Sequence, residues 1–438
     1  MNSIASTLFC AGIVLLPLLG SCARYKAEPI DLGKEEQGWK HQTLSIQSSR
    51  SLDFFQARQI GLVLNSDLNK ARLELAESKE VERQSGWWND PAFSWDIKQV
   101  LQQDERTLNF DGGLVLTIPV TGLPSLEKKV ASQYKEANYW NLRQAELDFL
   151  ASLDQQWSEW TMTSQKLHLI QTRLNELKKE ESAFTSLAKL GEIDLAARQI
   201  ATQRLNSALT EAQSLAQTEL EQKQGLIRLL GMHPEAAAKY SFKESGLGRI
   251  PSSIKTPSTA DLMQSPKILA KLASYSGSET LLKAEIRKQY PELELGPAFT
   301  RDDGEKELGG GLGFNIPLWN KNRKGIAEAE GTRNRDRLET VRLWRELLQS
   351  TRQSASEQSM LLSHCQATFK RVSDFSDNLT KLEKLHTIGE TSLADLAEAR
   401  QQVYESKISF IDSLDKLMKI QSQLRYVTSA PVAKNTNL

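Results

Sequence analysis

Apolar residues recur along this chain in two rhythms. Over most of its length they return at alternating threes and fours. Leu396, Val403, Phe410, Leu417 and Leu424 fall every seventh residue, and Trp160, Leu167 and Leu174 interlock with Ile170, Leu177 and Phe184. That spacing predicts helices packed along coiled-coil seams. In four short stretches the rhythm drops to two. Phe93, Trp95 and Ile97 alternate with Ser94, Asp96 and Lys98, and Leu114, Leu116, Ile118 and Val120 with Val115, Thr117 and Pro119. Leu293, Leu295 and Phe299 alternate with Glu292, Glu294 and Ala298, and Leu312, Phe314, Ile316 and Leu318 with Gly313, Asn315 and Pro317. These are strands with one apolar face and one polar or small face.

The two rhythms occur twice in the same order. Gly112 and Gly310, Pro119 and Pro317, and Gly191 and Gly389 are each 198 positions apart, and Pro91 and Pro291 are 200 apart. Such spacing marks an internal duplication. Each copy predicts a helix (65–86; 265–289), a strand (92–98; 292–299), a polar loop (102–106; 301–307) and a second strand (112–120; 310–318). A long helix follows (124–189; 321–387), then a turn at Gly191 or Gly389 and a return helix (194–230; 392–427). At 1.5 Å per residue, a helix of about 65 residues spans roughly 100 Å, a rod or tunnel rather than a compact domain. The chain divides into a leader (1–21), an N-terminal segment (22–64), repeat 1 (65–230), a linker (231–264), repeat 2 (265–428) and a tail (429–438). The hairpins span 92–120 and 292–318, and the helical tips span 190–194 and 388–392.

The leader changes the picture. Residues 4–19 are an apolar run of signal-peptide length, leading into Leu19-Gly20-Ser21-Cys22. This is similar to the bacterial lipobox, in which the cysteine is acylated and becomes the mature N-terminus, so Cys22 is the expected lipidation (palmitate) site. The first three residues, Met-Asn-Ser, carry no basic charge. Ala23 follows the cysteine, and by the same resemblance the absence of Asp there permits outer-membrane sorting. Past the leader no apolar run reaches the ~20 residues a transmembrane helix needs. The mature chain is therefore peripheral or crosses a membrane as strands.

The strands favour the second option. Asp96, Glu292 and Glu294 on one side suit a wet lumen with lipid outside. Trp87, Trp88 and Trp319 fall at the helix-facing ends, where an aromatic belt lies. Four strands cannot close a barrel, for which about eight is the smallest workable number. An open sheet in lipid leaves backbone groups unpaired at several kcal/mol each. Copies of the chain must then share one barrel. A soluble sheet packed on a helix is the alternative reading.

Composition narrows the chemistry. Lys plus Arg and Asp plus Glu are both 55, so no basic excess exists to displace phosphate counterions, and nucleic acid is not an expected partner. His41, His168, His233, His364 and His386 are scattered, and no partnered nucleophile is visible, so no catalytic residues are expected. Cys10, Cys22 and Cys365 have no metal spacing, the six methionines form no cluster, and neither a metal site nor a cofactor is expected. Cys365 lies seven residues before Val372, on a helical seam where a buried thiol is ordinary.

Four stretches resemble the TolC-like outer-membrane efflux family. NSDLNKARLELAESKEVERQSGWWNDPAFSWDI is similar to its helix running into the first strand, and GGLGFNIPLWNKNRKGIAEAEG to its fourth-strand exit. GEIDLAARQ and GETSLADLAEARQ are similar to its two helical tips. The IPLWNKNRKG portion is most like the heavy-metal branch, the CzcC- and CusC-like channels. The resemblance covers nearly the whole mature chain. It implies an α+β membrane protein: per protomer four transmembrane strands and long coiled-coil-like helices, and a homotrimer with one twelve-stranded β-barrel and a periplasmic α-barrel. Segments 27–64 and 231–264 and the C-terminus would form an equatorial collar. A periplasmic adaptor (membrane fusion) protein would dock on the tips, an inner-membrane pump of the RND type would supply energy, and the chain would be a gated conduit lipid-anchored in the outer membrane.

The resemblance places closure at the tips, here Gly191, Glu192 and Asp194, and Gly389, Glu390 and Asp395. A glycine there permits the left-handed geometry that ends any helix. Asp194, and Thr391 or Ser392, are candidate caps of the return helices. Glu390 and Asp395 are candidates for a negative field at the entrance that favours cations. Heavy-metal cations are one expected cargo, and a drug or protein-secretion conduit is the alternative. A non-channel coiled-coil lipoprotein is the rival from another class. It handles the heptads but does not predict paired hairpins.

Overall fold

The computed structural model describes residues 25–46, 50–99, 108–244, 249–302 and 305–428. The leader, Cys22, the whole 102–106 loop and the 429–438 tail lie outside them. The chain forms two units, divided after Ile46. In the first, helix α1 (Leu32–Leu44) starts at Asp31, whose carboxylate accepts from the Gly33 and Lys34 amides.

The second unit runs β1 (Ser51–Leu52), α2 (Phe54–Leu64), α3 (Ser66–Gln84), β2 (Ala92–Gln99), β3 (Leu108–Ile118), α4 (Leu123–Leu190) and α5 (Leu195–Leu229). It continues α6 (Pro234–Ala237), β4 (Ser241–Phe242), α7 (Thr259–Met263), α8 (Pro266–Arg287), β5 (Leu293–Asp302), β6 (Glu305–Phe314), α9 (Arg323–Thr387) and α10 (Leu393–Arg425). The duplicated order is explicit: helix, hairpin, long helix, return helix, twice.

The long helices are held differently along their length. The first part of α4 lies between α3 and α8, with Lys135 Nζ paired to Glu82 at 2.6 Å, and α8 in turn meets α9 through Lys271 and Glu339 at 2.8 Å. Further along, α4 exchanges those neighbours for α5 and α10, while α9 packs against α10. The heptad positions explain the exchange. Ile170 and Leu177 bury with Ala208 and Tyr404, Met162 with Ile411 and Leu414, and Leu417 with Leu361 and Cys365. Each fully buried leucine or isoleucine stabilises the bundle by roughly 1.5–3 kcal/mol relative to exposure. Burial pushes the Cys365 thiol above its ordinary range, so it is an inert packing group.

At the changeover an aromatic cluster ties the short segments to α4. Trp157 packs edge-on against Phe54, Trp160 and Phe242, with centroids 5.4–5.8 Å apart. Ser51–Leu52 pairs in parallel with Ser241–Phe242, and the Asn65 side chain donates to the Leu229 carbonyl at 2.8 Å. Parts of the N-terminal segment and of the inter-repeat linker therefore lie side by side around the middle of α4.

One antiparallel sheet has the order β2-β3-β5-β6. Its strands differ from the expected ranges. β3 starts at Leu108 rather than 112, because residues 108–111 continue the ladder with 96–99. β6 runs Glu305–Phe314 rather than 310–318, because its pairing with β5 extends to Asp302↔Glu305. Ile316 and Leu318, expected inside the strand, lie beyond its end beside Pro317, which has no N–H to give a ladder.

Candidate functional site

The sheet's register sorts its side chains by polarity. Residues directly opposite on antiparallel strands share a face. One face carries Asp96↔Asp111, Asp111↔Thr300 and Thr300↔Glu307, with Ser94, Lys98 and Asn109 beside them. Towards the helices it continues as Thr117↔Glu294 and Glu294↔Gly313. The other face carries Phe93↔Leu114, Ile97↔Phe110, Leu116↔Leu295, Leu295↔Leu312 and Leu293↔Phe314. The split holds over most of four strands contributed by residues 200 positions apart, with Arg301 and Lys306 joining the apolar side towards the β5–β6 turn and Val115 the polar one.

The apolar face is uncovered. Phe93 is 70% exposed, Leu308 83% and Leu312 66%, and Trp95, Ile97 and Phe314 are more than half exposed. Monomeric soluble proteins rarely expose so continuous an apolar patch. The polar face is small and acidic. Gly113, Ala298, Gly309 and Gly313 lie on it, and among the described residues Asp96, Asp111, Glu294, Glu305 and Glu307 share it with one basic side chain, Lys98, which pairs with Asp111 at 2.6 Å. Of the expected lumen residues, Asp96 and Glu294 are on this face, and Glu292 precedes the first residue of β5. Asp111, Glu305 and Glu307 were missed. Their signal was the strand parity, hidden because β3 and β6 start earlier than their glycines suggest.

Where the sheet meets the helices, Trp87, Trp88, Tyr290 and Trp319 are all exposed. None serves as core within the chain. The Asn322 side chain fixes this junction, donating to both the carbonyl and the carboxylate of Glu285 at 2.9 and 2.7 Å.

The helical tips form the far end. Gly191 (φ 77°) and Gly389 (φ 80°) take the left-handed conformation. The Glu192 amide closes onto the Leu187 carbonyl at 3.0 Å and the Glu390 amide onto Leu385 at 2.9 Å, the same C-cap twice. The return sides differ. Asp194 occupies the N-cap of α5, but its side chain makes no capping bond, contrary to the capping role expected for it. In α10 the cap is Ser392, whose hydroxyl accepts from the Asp395 amide at 3.1 Å while the Asp395 carboxylate accepts from the Ser392 amide and hydroxyl at 3.3 and 2.5 Å. Hydrogen bonds from the Ser392 hydroxyl and amide hold Asp395 below the usual carboxylate range. A capping box needs an acceptor three residues after the cap, and α5 has Ala197 there. His386 adds a bond between its Nδ1 and the Thr391 carbonyl at 3.0 Å. The two tips touch: Phe184, Ala201 and Ala397 bury together with Ile193, Ala197 and Leu393 around them, and Arg204 pairs with Glu398 at 2.6 Å.

Above the tips lies a polar network. Arg173 and Glu180, both buried on α4, pair at 2.9 Å, and Arg400 of α10 reaches Glu180 at 3.4 Å and Glu383 of α9 at 3.4 Å. Tyr404 donates to Glu211 at 2.7 Å. No group of three or more metal-ligating side chains occurs among the described residues.

Comparison with known proteins places this geometry. No family model matches the sequence, and no curated protein does. Solved structures do match. CusC, whose structures are described in terms of transmembrane channel formation, aligns with TM-score 0.72 at 14% identity over 93% of this chain and 98% of its own. The CmeC outer membrane channel of Campylobacter jejuni aligns with TM-score 0.73 at 13% identity over 93% and 89%. The outer membrane protein VceC of Vibrio cholerae aligns with TM-score 0.71 at 14% identity over 85% and 95%. The chain has the fold of these outer-membrane channels.

Proposed function

We propose that this chain is one subunit of an outer-membrane efflux channel of the TolC-like family, a passive gated conduit between an inner-membrane pump with its periplasmic adaptor and the exterior. One observation carries the reading: a four-stranded sheet with an uncovered apolar face, a small acidic face, and β2 and β6 as its edges. In hydrocarbon each unpaired backbone group costs several kcal/mol, so β6 of one copy must pair with β2 of the next until the wall closes. Three copies give twelve strands and leave a water-filled interior lined by the acidic face. The same rotation sets α9 of one copy beside α3 and α5 of its neighbour and closes the helices into a tunnel.

The parts divide the work. The barrel crosses the outer membrane and the helical tunnel reaches into the periplasm. The tips around Gly191–Asp194 and Gly389–Asp395 form the closed end and the surface on which the adaptor docks. Cys22 anchors each copy by acylation. The acidic wall favours cationic cargo, and heavy-metal cations are the case the sequence resemblance suggests, with selection residing in the pump or adaptor. The coiled-coil rod reading does not account for the uncovered apolar sheet face.

Full-length protein purified from the outer-membrane fraction tests this. Trimers that resist detergent and dissociate on heating, and discrete conductance in planar bilayers, are expected. A protein that stays monomeric and water-soluble without detergent would overturn the proposal.

A further inference from the structure

The layer formed by α4 and α8 just below the sheet has two unlike sides. On one side a groove runs between α3, α4 and α8, lined by Glu74, Glu77, Glu127 and Glu285, with Lys288, around Tyr134. On the other a cavity of about 320 Å³ lies between the start of α4 and the last turns of α8. Leu126 and Ile286 are its apolar wall, and Thr121, Ser125, Lys283 and Arg287 its polar lining. The first side is mainly acidic, and the second is basic and apolar. Its lining follows the end of β3 and precedes the start of β5, strands that pair at Ile118↔Leu293 and Leu116↔Leu295.

Lys283 and Arg287 are four residues apart on one helical face. Like charges at that spacing repel each other. Both are exposed, and neither makes an ion pair among the described residues. The nearest acid in sequence, Glu285, is turned away and bonded to Lys288 at 2.6 Å and to Asn322 at 2.7 Å. The start of α9 adds Lys321 and Arg323, also exposed and without an ion pair among the described residues. Exposed Trp87, Trp88, Tyr290 and Trp319 lie in the same junction. Uncompensated cations in a junction that also carries exposed aromatic rings match the chemistry of a phospholipid headgroup region.

We propose that this cavity binds the phosphate of an anionic phospholipid in the leaflet nearest the helices. Lys283 and Arg287 hold the phosphate, Leu126 and Ile286 meet the glycerol and upper acyl carbons, and the chains lie along the apolar face between β3 and β5. The site rests on the membrane-spanning reading of the sheet and adds to it a lipid preference and a fixed depth.

The test uses full-length protein in a neutral detergent, with phosphatidylglycerol and phosphatidylcholine as probes and native mass spectrometry as the readout. Wild type is expected to retain phosphatidylglycerol at least tenfold better than phosphatidylcholine. Lys283→Gln with Arg287→Gln should abolish that preference, Lys283→Arg with Arg287→Lys should keep it, and Lys178→Gln with Lys179→Gln on distant α4 should leave it unchanged. Millimolar inorganic phosphate should not displace the lipid. Equal retention of both lipids by wild type, an undiminished preference in the Gln pair, or displacement by inorganic phosphate would each overturn the site. Insertion into phosphatidylcholine vesicles is scored separately. Protein that inserts there but shows no preference refutes the lipid site and leaves the channel standing, whereas protein that enters no vesicle refutes the channel.

Discussion

Tyr404 on α10 donates its hydroxyl to Glu211 on α5 at 2.7 Å, across 193 residues of sequence. The ring is buried with Ile170, Leu177 and Ala208, so one residue both packs and bonds. Burial and then the Glu211 carboxylate hold the phenol above its ordinary range, which keeps it a neutral donor at any physiological pH. Tyr404→Phe keeps the packing and loses the bond, a cost of about 1 kcal/mol. Tyr404→Ala also opens a cavity, and large aromatic truncations cost roughly 3–5 kcal/mol. Thermal unfolding in detergent should rank wild type above Phe and Phe above Ala.

Gly296 and Gly309 share the polar face but differ in space. A Cβ on Gly296 would sit 1.7 Å from the Leu114 carbonyl oxygen, whereas a Cβ on Gly309 meets nothing within 4 Å. The β3–β5 ladder is interrupted at this point, where Pro297 has no N–H to donate. Gly296→Ala is expected to prevent the sheet from forming, seen as loss of heat-modifiable oligomers from the outer membrane. Gly309→Ala should assemble normally.

The second tip should be acid-sensitive and the first should not. The Asp395 carboxylate is held below its ordinary range by Ser392. Its folded value is depressed, so the cap contributes stability above the unfolded carboxylate range, near pH 4, and loses it as pH falls through the depressed value. Asp194 makes no equivalent bond. Hydrogen exchange followed from pH 6 to 3 should show residues 390–396 opening on acidification, with Asp395→Asn removing the step and residues 192–198 showing none.

Neutralising the acidic face should change ion preference without changing assembly. Asp96→Asn with Glu294→Gln removes two of the five carboxylates that the described residues place on the face with Lys98. The ratio of cation to anion permeability in planar bilayers should fall, and further in a variant that also carries Glu307→Gln. An unchanged ratio would remove this face from the conduction path.

Cys22→Ser is expected to abolish incorporation of radiolabelled palmitate while leaving trimers on gels. A labelled Ser variant would place acylation elsewhere.

Periodicity determined the order of helices and strands, and the spacing of Gly and Pro their duplication, while the strand ends followed the pairing. The heptads through Leu396, Val403, Leu417 and Leu424 are buried seams, and the glycines at 191 and 389 end their helices in the left-handed conformation. Such features are local: a helix face and a C-cap depend on residues within a turn or two of one another. Strand register is not local. Whether Asp111 shares a face with Asp96, Thr300 and Glu307 depends on which residues oppose one another across three ladders, and a slip of one residue would send each to the apolar side. The same holds for Lys283 and Arg287. They became a candidate site only when the fold brought the start of α4 against the end of α8 and turned Glu285 away. The sequence determined which faces would be apolar; tertiary pairing decided which faces meet, because pairing energy is shared between segments 200 residues apart.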